Sequence, residues 1–352
     1  MNPRIQKLYK ILEEEDLDGL ILTNPSNISY LADFKSRDSY AVISRKENVY
    51  ITDSRYTEEV KKYLSGFTLI KIERSVFKLI ADTCANLKLK KIGFEERVLP
   101  FAEYNKIRES LSKNAELVPT HSLVEKLRQV KTAQEIAKLR KAAQITIEAL
   151  QFIEGFIRPG QTEIEISAEI ERFIRYQGAS CASFDTIVGS GPNSSYPHHL
   201  TSARKVRKNE PVLVDMGVEY AGYKSDLTRV FFSGKIEYSE QKIYNIVLEA
   251  QKKAINAIKP GAVISEIDAL ARRYIAEKGY GGFFGHNLGH GVGLDIHEEP
   301  GISFKEKSKL AAGMVFTVEP GIYLAGKFGV RIEDMVLVTQ KGVEVISGSL
   351  NK

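Results

Sequence analysis

Apolar and polar positions repeat along this chain at two periods, and the changes of period mark its elements. In the first 120 residues, short β-rich runs at Asp18–Thr23, Tyr40–Ser44, Val49–Thr52 and Thr68–Ile72 are bounded by Asn, Asp, Gly and Ser, and predict strands. Amphipathic stretches near 5–15, 55–64 and 75–88 alternate with them and predict helices. Residues 1–121 therefore read as a small α/β domain in which no titratable groups cluster at catalytic spacing. Residues 122–131 read as a linker. Thr132 and Glu135 then form a T-x-x-E capping box, and Ile136, Leu139, Ala143, Ile147 and Leu150 fall on one helical face behind it. That helix opens a second domain, 132–352.

The second domain contains an internal repeat. The segment Arg158–Gly178 matches Lys259–Gly279 without a gap, at an offset of 101. Both copies keep the Pro-Gly turn (Pro159-Gly160, Pro260-Gly261), an isoleucine-rich helix pattern and a terminal glycine, Gly178 or Gly279, where a helix stops. Downstream, Val212-Leu-Val-Asp215-Met-Gly217 and Val315-Phe-Thr-Val-Glu319-Pro-Gly321 share a pattern of apolar strand, acid, one residue, glycine. Each is followed by a second acid, Asp226 after 11 residues and Glu333 after 14, across turns suited to antiparallel hairpins. Two related halves, each offering a pair of carboxylates, are expected to meet at one pseudo-two-fold site. The fold class is α/β in the broad sense (α+β), in two domains.

Composition narrows the class without naming a function. A length of 352 residues gives a prior of about two domains. Apolar residues at 43% and charged residues at 27% exclude disordered, collagen-like and coiled-coil chains. No apolar run approaches the roughly 18–20 residues of a membrane span, and the N-terminal stretch is acidic and amphipathic with no signal-peptide core, so the expected compartment is the cytoplasm, with no membrane partner. The net charge of +5 is spread over acids and bases together, which argues against a nucleic-acid groove. Cys84 and Cys181 form no CxxC pair and read as small buried hydrophobes.

The chemistry lies in the second domain. Asp215, Glu319 and Glu333 sit in apolar runs that predict strands, where a carboxylate facing the core is costly. A single such acid is as well explained by alternating outward. Four in two matched hairpins would repel one another unless cations neutralised them, which points to a divalent metal cluster. Five of the six histidines lie between His198 and His297, and His286, His290 and His297 fall within twelve residues interspersed with Gly289, Gly291 and Gly293. A lone histidine there would more often be a satisfied core residue, but beside four carboxylates one becomes a ligand. Oxygen ligands with one imidazole favour Mn²⁺ or Co²⁺ over a thiolate zinc site, and five ligands suit two ions.

These motifs are also recognisable. Phe184–His198, Val214-Asp-Met-Gly217, Ser225-Asp-Leu-Thr-Arg229, Gly289–Glu298, Val318-Glu-Pro-Gly-Ile-Tyr323 and Val330-Arg-Ile-Glu333 resemble, in order, the proline-specific metallopeptidases of pita-bread fold: aminopeptidase P and prolidase, of family M24. Ile51-Thr-Asp-Ser-Arg-Tyr56 is similar to that family's creatinase-like N-terminal domain. The resemblance implies metal ligands at Asp215, Asp226, His290, Glu319 and Glu333, with Asp226 and Glu333 bridging two divalent ions, Mn²⁺ with Co²⁺ or Zn²⁺ as alternatives. It implies Glu319 as general base as well as ligand, and His198 and His297 as catalytic groups that contact substrate and stabilise the tetrahedral intermediate. His286 is implied as a further substrate-binding histidine, and Arg331 as a residue orienting a metal carboxylate through a bidentate pair. The implied reaction is hydrolysis of the bond between an N-terminal residue and proline by a metal-activated hydroxide, on proline-containing peptides, in a homodimer.

Some positions depart from the family's pattern. Ser194-Ser-Tyr196-Pro-His198 carries an extra ring at Tyr196, His199 reads as a neighbour rather than a participant, and Met335 reads as lying outside the ligand set. The rival reading from another class is a catalytically inactive pita-bread module that binds peptides or other proteins; such relatives lose ligands, and this chain keeps all five. A creatinase-like hydrolase without metals falls on the same ground, and a methionyl aminopeptidase would not need the first domain. No arginine stands out as a clamp for a dipeptide's carboxylate, although Phe34-Lys-Ser-Arg-Asp38 is a candidate segment, so the expectation leans to an open cleft that takes longer peptides.

Overall fold

The structure is a computed structural model that describes residues 2–352. The chain divides into two compact units, Met1–Arg128 and Gln129–Lys352. The first opens with α1 (Pro3–Glu14), β1 (Gly19–Leu22), α2 (Pro25–Ala32), β2 (Ser39–Ser44) and β3 (Asn48–Thr52). It continues with α3 (Thr57–Tyr63), β4 (Thr68–Lys71), α4 (Val76–Asn86), β5 (Lys91–Glu95), α5 (Phe101–Ser110) and β6 (Glu116–Thr120). These strands form one mixed sheet in the order β4-β3-β2-β1-β5-β6. β1, β2 and β3 pair antiparallel (Ile21 opposite Val42, Val42 opposite Val49), whereas β4, β5 and β6 join as parallel strands. Ile21, Val42, Ile51, Ile80, Ile92 and Ile107 pack the sheet against its helices. Cys84 is buried here and its thiol is pushed up to about 12 by desolvation, so it is inert. The segment read as a linker is mostly helix α6 (Leu123–Gln129).

The second unit begins with α7 (Ala133–Phe156), and both reciprocal bonds of its capping box are present between Thr132 and Glu135. α8 (Glu163–Tyr176) follows, then β7 (Cys181–Ala182), β8 (Ile187–Ser190), β9 (Pro211–Met216), β10 (Val218–Tyr220), β11 (Tyr223–Lys224) and β12 (Leu227–Phe232). The second half repeats the plan with α9 (Tyr238–Asn256) and α10 (Ile264–Glu277). Its strands are β13 (Gly289–Gly291), β14 (Glu298–Ile302), β15 (Val315–Val318), β16 (Gly321–Leu324), β17 (Phe328–Arg331), β18 (Asp334–Val338) and β19 (Val343–Val345).

The repeat legible in the sequence has equivalent local structure in both copies. Gly160 and Gly261 each turn with positive φ (99° and 84°), and Gly178 and Gly279 each end a helix in the left-handed region (89° and 86°). The Gly160 amide donates to the Val206 carbonyl and the Gly261 amide to that of Leu310, so each turn is tied to an equivalent downstream segment. In each half the two helices pack on the half's own strands. One core gathers Leu139, Leu150, Ile166, Ile170 and Val214 with Val315 and Leu337 from the second half, the other Ile243, Val247, Ile267, Ile275 and Phe316 with Leu213 and Val230 from the first. Cys181 is half-buried rather than fully buried as expected. Among the described residues no helix is long and apolar enough to cross a membrane.

Candidate metal centre and cleft

The acids come from the ends of strand ladders. β9 pairs antiparallel with β12, which sets Asp215 opposite Thr228, and Asp226 lies one residue before β12. In the second half β15 pairs with β18 up to Val318 opposite Asp334, and β16 resumes with β17 at Gly321 opposite Arg331. Glu319 and Glu333 occupy the gap between these two ladders. The expectation that they sit within strands is thus corrected: only Asp215 does, and the others stand where the ladder is interrupted and side chains can converge. His290 rides on β13, whose register shifts between His290 and Gly291, a bulge that re-aims the imidazole. Glycine is required just before it, since a Cβ on Gly289 would lie 1.9 Å from the Thr317 carbonyl oxygen.

Asp215, Asp226, His290, Glu319 and Glu333 all face one cleft of about 970 Å³, together with His198, His286, His297 and Arg331. Ligand atoms of Asp226, His290 and Glu333 lie within 4.8 Å of one another. His290 Nε2 stands 3.4 Å from both Asp226 Oδ2 and Glu319 Oε1, while its Nδ1–H donates to the Gly291 carbonyl at 3.1 Å, leaving Nε2 free to ligate. Thr317 Oγ1 donates to Glu319 Oε1 (3.1 Å) and Thr228 Oγ1 to Glu333 Oε2 (2.7 Å).

Charge in this cluster is unbalanced. Burial, and then the carboxylates of Asp215 and Glu319, push Asp226 well above the ordinary carboxylate range; burial and then Asp226 do the same to Glu333, and burial raises Glu319. Asp215 Oδ1, Asp226 Oδ1 and Glu333 Oε1 are buried with no hydrogen-bond partner. Buried anionic oxygens without donors are what a divalent cation satisfies, and a donor set of four carboxylates and one imidazole suits a hard or borderline ion. The residues fit the metal ions that the sequence implied.

One permanent cation is built in. Arg331, only 3% exposed, donates from Nη2 to Asp215 Oδ2 (2.5 Å), from Nε to Thr228 Oγ1 (3.0 Å) and from Nη1 to the Tyr323 hydroxyl (2.9 Å) and the Pro197 carbonyl (3.3 Å). It grips Asp215 through one bond rather than the expected two, and the second oxygen is left free. His286 is pushed down to about 4 by burial and then by Arg331, and its Nε2 meets the Tyr323 hydroxyl at 3.0 Å. His297 is lowered by burial and then by His290, whose ring lies 4.3 Å away edge to face. Both are neutral near pH 7. The Met335 sulfur accepts from the Asp226 amide at 3.4 Å. Tyr196 is exposed and stacks on His199. Thr228, Thr317 and Tyr323 are neighbours of the cluster that sequence reasoning passed over, although all three lay inside quoted motifs.

This geometry is that of a metal-dependent hydrolase. Residues 137–340 match the model of metallopeptidase family M24, and residues 4–130 match the creatinase/prolidase N-terminal domain; the chain belongs to that family. It is an enzyme of the hydrolase class, with the family's α/β first domain followed by a pita-bread domain. The chain is 35% identical to a Xaa-Pro dipeptidase of Pyrococcus furiosus, covering 98% of this chain and 97% of the relative. Among solved structures it superposes on a Xaa-Pro dipeptidase from Bacillus anthracis with a TM-score of 0.96, at 44% identity over 99% of this chain and 98% of that one. An X-Pro aminopeptidase from Thermotoga maritima gives a TM-score of 0.89 at 36% identity, over 98% and 97%.

Proposed function

We propose that this protein hydrolyses the peptide bond between an N-terminal residue and proline, with two divalent ions, Mn²⁺ by preference, held by Asp215, Asp226, His290, Glu319 and Glu333. The three partnerless carboxylate oxygens around His290 carry the reading. The likeness over nearly the whole chain to dipeptidases and an aminopeptidase acting at Xaa-Pro bonds supplies the substrate class. Bound metal ions supply Lewis acidity and a lowered pKa for water.

The chain's own groups do the rest. Thr317 fixes one oxygen of Glu319, leaving the other to take a proton from the attacking water and pass it to the departing proline nitrogen. The carbon–oxygen bond forms first, turning the carbonyl into a tetrahedral oxyanion, and the carbon–nitrogen bond breaks as that oxyanion collapses and the proline nitrogen takes the proton. His198 and His297, facing the same cleft, donate hydrogen bonds to the substrate carbonyl as it becomes anionic. A proline amide has no N–H, so recognition rests on cleft shape rather than on a backbone hydrogen bond. No observation favours the inactive binding module, since every group the chemistry needs is retained. A homodimer in the cytoplasm remains part of the proposal, the assembly being checked by mass in solution.

The lining of the cleft bears on substrate length. Among the described residues that line it, the one guanidinium, Arg331, is committed to Asp215, and the acids Glu171 and Asp185 are present with no lysine. A free α-carboxylate finds no clamp in it, which supports action on peptides longer than two residues, with Xaa-Pro dipeptides as secondary substrates. The test adds Mn²⁺ or Co²⁺ to chelated protein and compares kcat/KM for Xaa-Pro and Xaa-Pro-Yaa. No turnover of either would end the functional reading. A dipeptide preference above about a hundredfold, some 2.7 kcal/mol, would establish a clamp and a dipeptidase.

A further inference from the structure

His198 is presented to the cleft by a segment, residues 190–202, with little regular structure beyond a 3₁₀ turn at Gly191–Ser195. Such a segment needs anchoring if its histidine is to be held to the tolerance that catalysis requires. The anchor lies behind it. Glu163, the first residue of α8, is fully buried and accepts on Oε1 from the Ser190 amide (2.7 Å), the Ser190 hydroxyl (2.7 Å) and Asn193 Nδ2 (3.0 Å). Its Oε2 accepts from the Ser202 amide (3.1 Å) and hydroxyl (2.6 Å) and meets His199 Nε2 at 2.8 Å. Both ends and the middle of the segment therefore converge on one carboxylate. The two neighbours of His198 in the chain are each tied down, Pro197 through its carbonyl to Arg331 and His199 through its ring to Glu163.

An acid is not needed at this point for helix architecture. The helix cap here is Thr162 with Glu165, and the matching position of the second repeat is Ile264, also fully buried. The half with the carboxylate is the half whose following segment delivers His198. Although burial alone would push Glu163 up, the donors from Ser202, Ser190 and His199 hold it below its ordinary value, so it is an anion saturated with donors.

We propose that Glu163 is a positioning residue for the peptidase reaction, holding the 190–202 segment so that His198 meets the substrate carbonyl, with His199 as its link. The proposal rests on the functional reading above. A Glu163→Gln variant keeps the shape and replaces one acceptor oxygen by a donor. In the Mn²⁺-loaded full chain it should lower kcat about tenfold with little change in KM, and cost less than about twofold in a His198→Ala background. Equal losses in both backgrounds would overturn the proposal, because a carboxylate that merely stabilised the fold would cost the same with or without His198. His199→Phe, which keeps a ring and removes the bond to Glu163, is the second variant, with a smaller loss and the same dependence on His198; losses independent of His198 in this variant would overturn the proposal even if Glu163→Gln failed to fold. Hydrogen exchange supplies an arm that needs no turnover. Amides of residues 190–202 should exchange faster in either variant than in the parent, and unchanged protection in both would overturn the proposal. A parent protein inactive on every Xaa-Pro peptide would refute the functional reading, while the exchange result would still decide whether Glu163 holds the segment.

Discussion

Replacing Arg331 by Met tests whether this buried guanidinium compensates charge that metal ions would otherwise neutralise. Methionine is apolar and of similar reach, so the perturbation is the loss of charge and of bonds to Asp215, Thr228, Tyr323 and the Pro197 carbonyl. In metal-free protein Asp215 would be left among Asp226, Glu319 and Glu333 with no cation beside it. Breaking a buried pair in this way costs about 3–5 kcal/mol. At about 2–4 °C per kcal/mol for a unit of this size, the metal-free transition should fall by roughly 6–20 °C. Bound Mn²⁺ would neutralise Asp215, leaving chiefly the bonds to the uncharged partners Thr228, Tyr323 and the Pro197 carbonyl as the loss, at about 0.5–1 kcal/mol each. The loss should therefore shrink to about 1.5–3 kcal/mol. The assay is thermal unfolding of parent and variant in chelator and in excess Mn²⁺. An equal loss under both conditions would refute the reasoning, since it would make Arg331 a packing residue and not a counter-charge.

Three further expectations can be checked with the same protein. Glu319→Gln should cut kcat by at least about 10²–10⁴-fold on any substrate turned over, because the proton carrier is gone; near-parental turnover would remove Glu319 from that role. In chelator, Asp226 and Glu333 bind protons more tightly folded than unfolded, since their folded values are raised, so stability should fall as pH rises above the ordinary carboxylate range and Mn²⁺ affinity should tighten over the same span. His286 acts in the opposite sense, its folded value of about 4 lying below the unfolded one near 6.5, so a His286→Gln background removes its contribution; in that background, a stability slope above the ordinary carboxylate range unchanged by Glu333→Gln would show the wrong groups were assigned. Lys131 Nζ and Glu298 Oε1 form an ion pair at 2.8 Å with side chains 1% and 5% exposed, so Lys131→Met, which removes the cation from this buried carboxylate, should destabilise by up to about 3–5 kcal/mol, and a melting point unchanged in the variant would contradict this.

Much of the second unit was legible because its signals are redundant. The two Pro-Gly turns, the terminal glycines and the matched acids each repeat, so an accident at one position is corrected by its partner. What was misread was the surroundings of those acids. Val318-Glu319-Pro320 continues an apolar run in the sequence, yet the pairing of β15 with β18 stops at Val318 and a different ladder starts at Gly321; such a break depends on partners remote in the chain. The hydroxyls of Thr228, Thr317 and Tyr323 went unassigned because threonine and tyrosine in a strand read first as β-formers. Glu163 was hidden differently, as one acid among several at a helix start where negative charge is ordinary. In the first unit α2 was passed over although Asn24 followed by Pro25 is a readable helix start, and its Asn24 side chain does accept from the Ser26 and Asn27 amides. β6 contains Pro119, which counts against a strand, but it lies at the edge of the sheet where the missing donor costs little.

The pairing of carboxylates by halves has a mechanical consequence. Asp215 and Asp226 belong to the first repeat, while Glu319 and Glu333 belong to the second, as does His290. Cations held as proposed are therefore a clasp across the seam, added to packing, to the bond from Thr228 to Glu333 and to the bonds of Arg331 with Asp215, Thr228 and the Pro197 carbonyl. Any breathing motion that parts the halves must loosen that clasp as well. The ions would then set how far the cleft opens as well as what happens inside it, and a chelated molecule should be looser along that one seam.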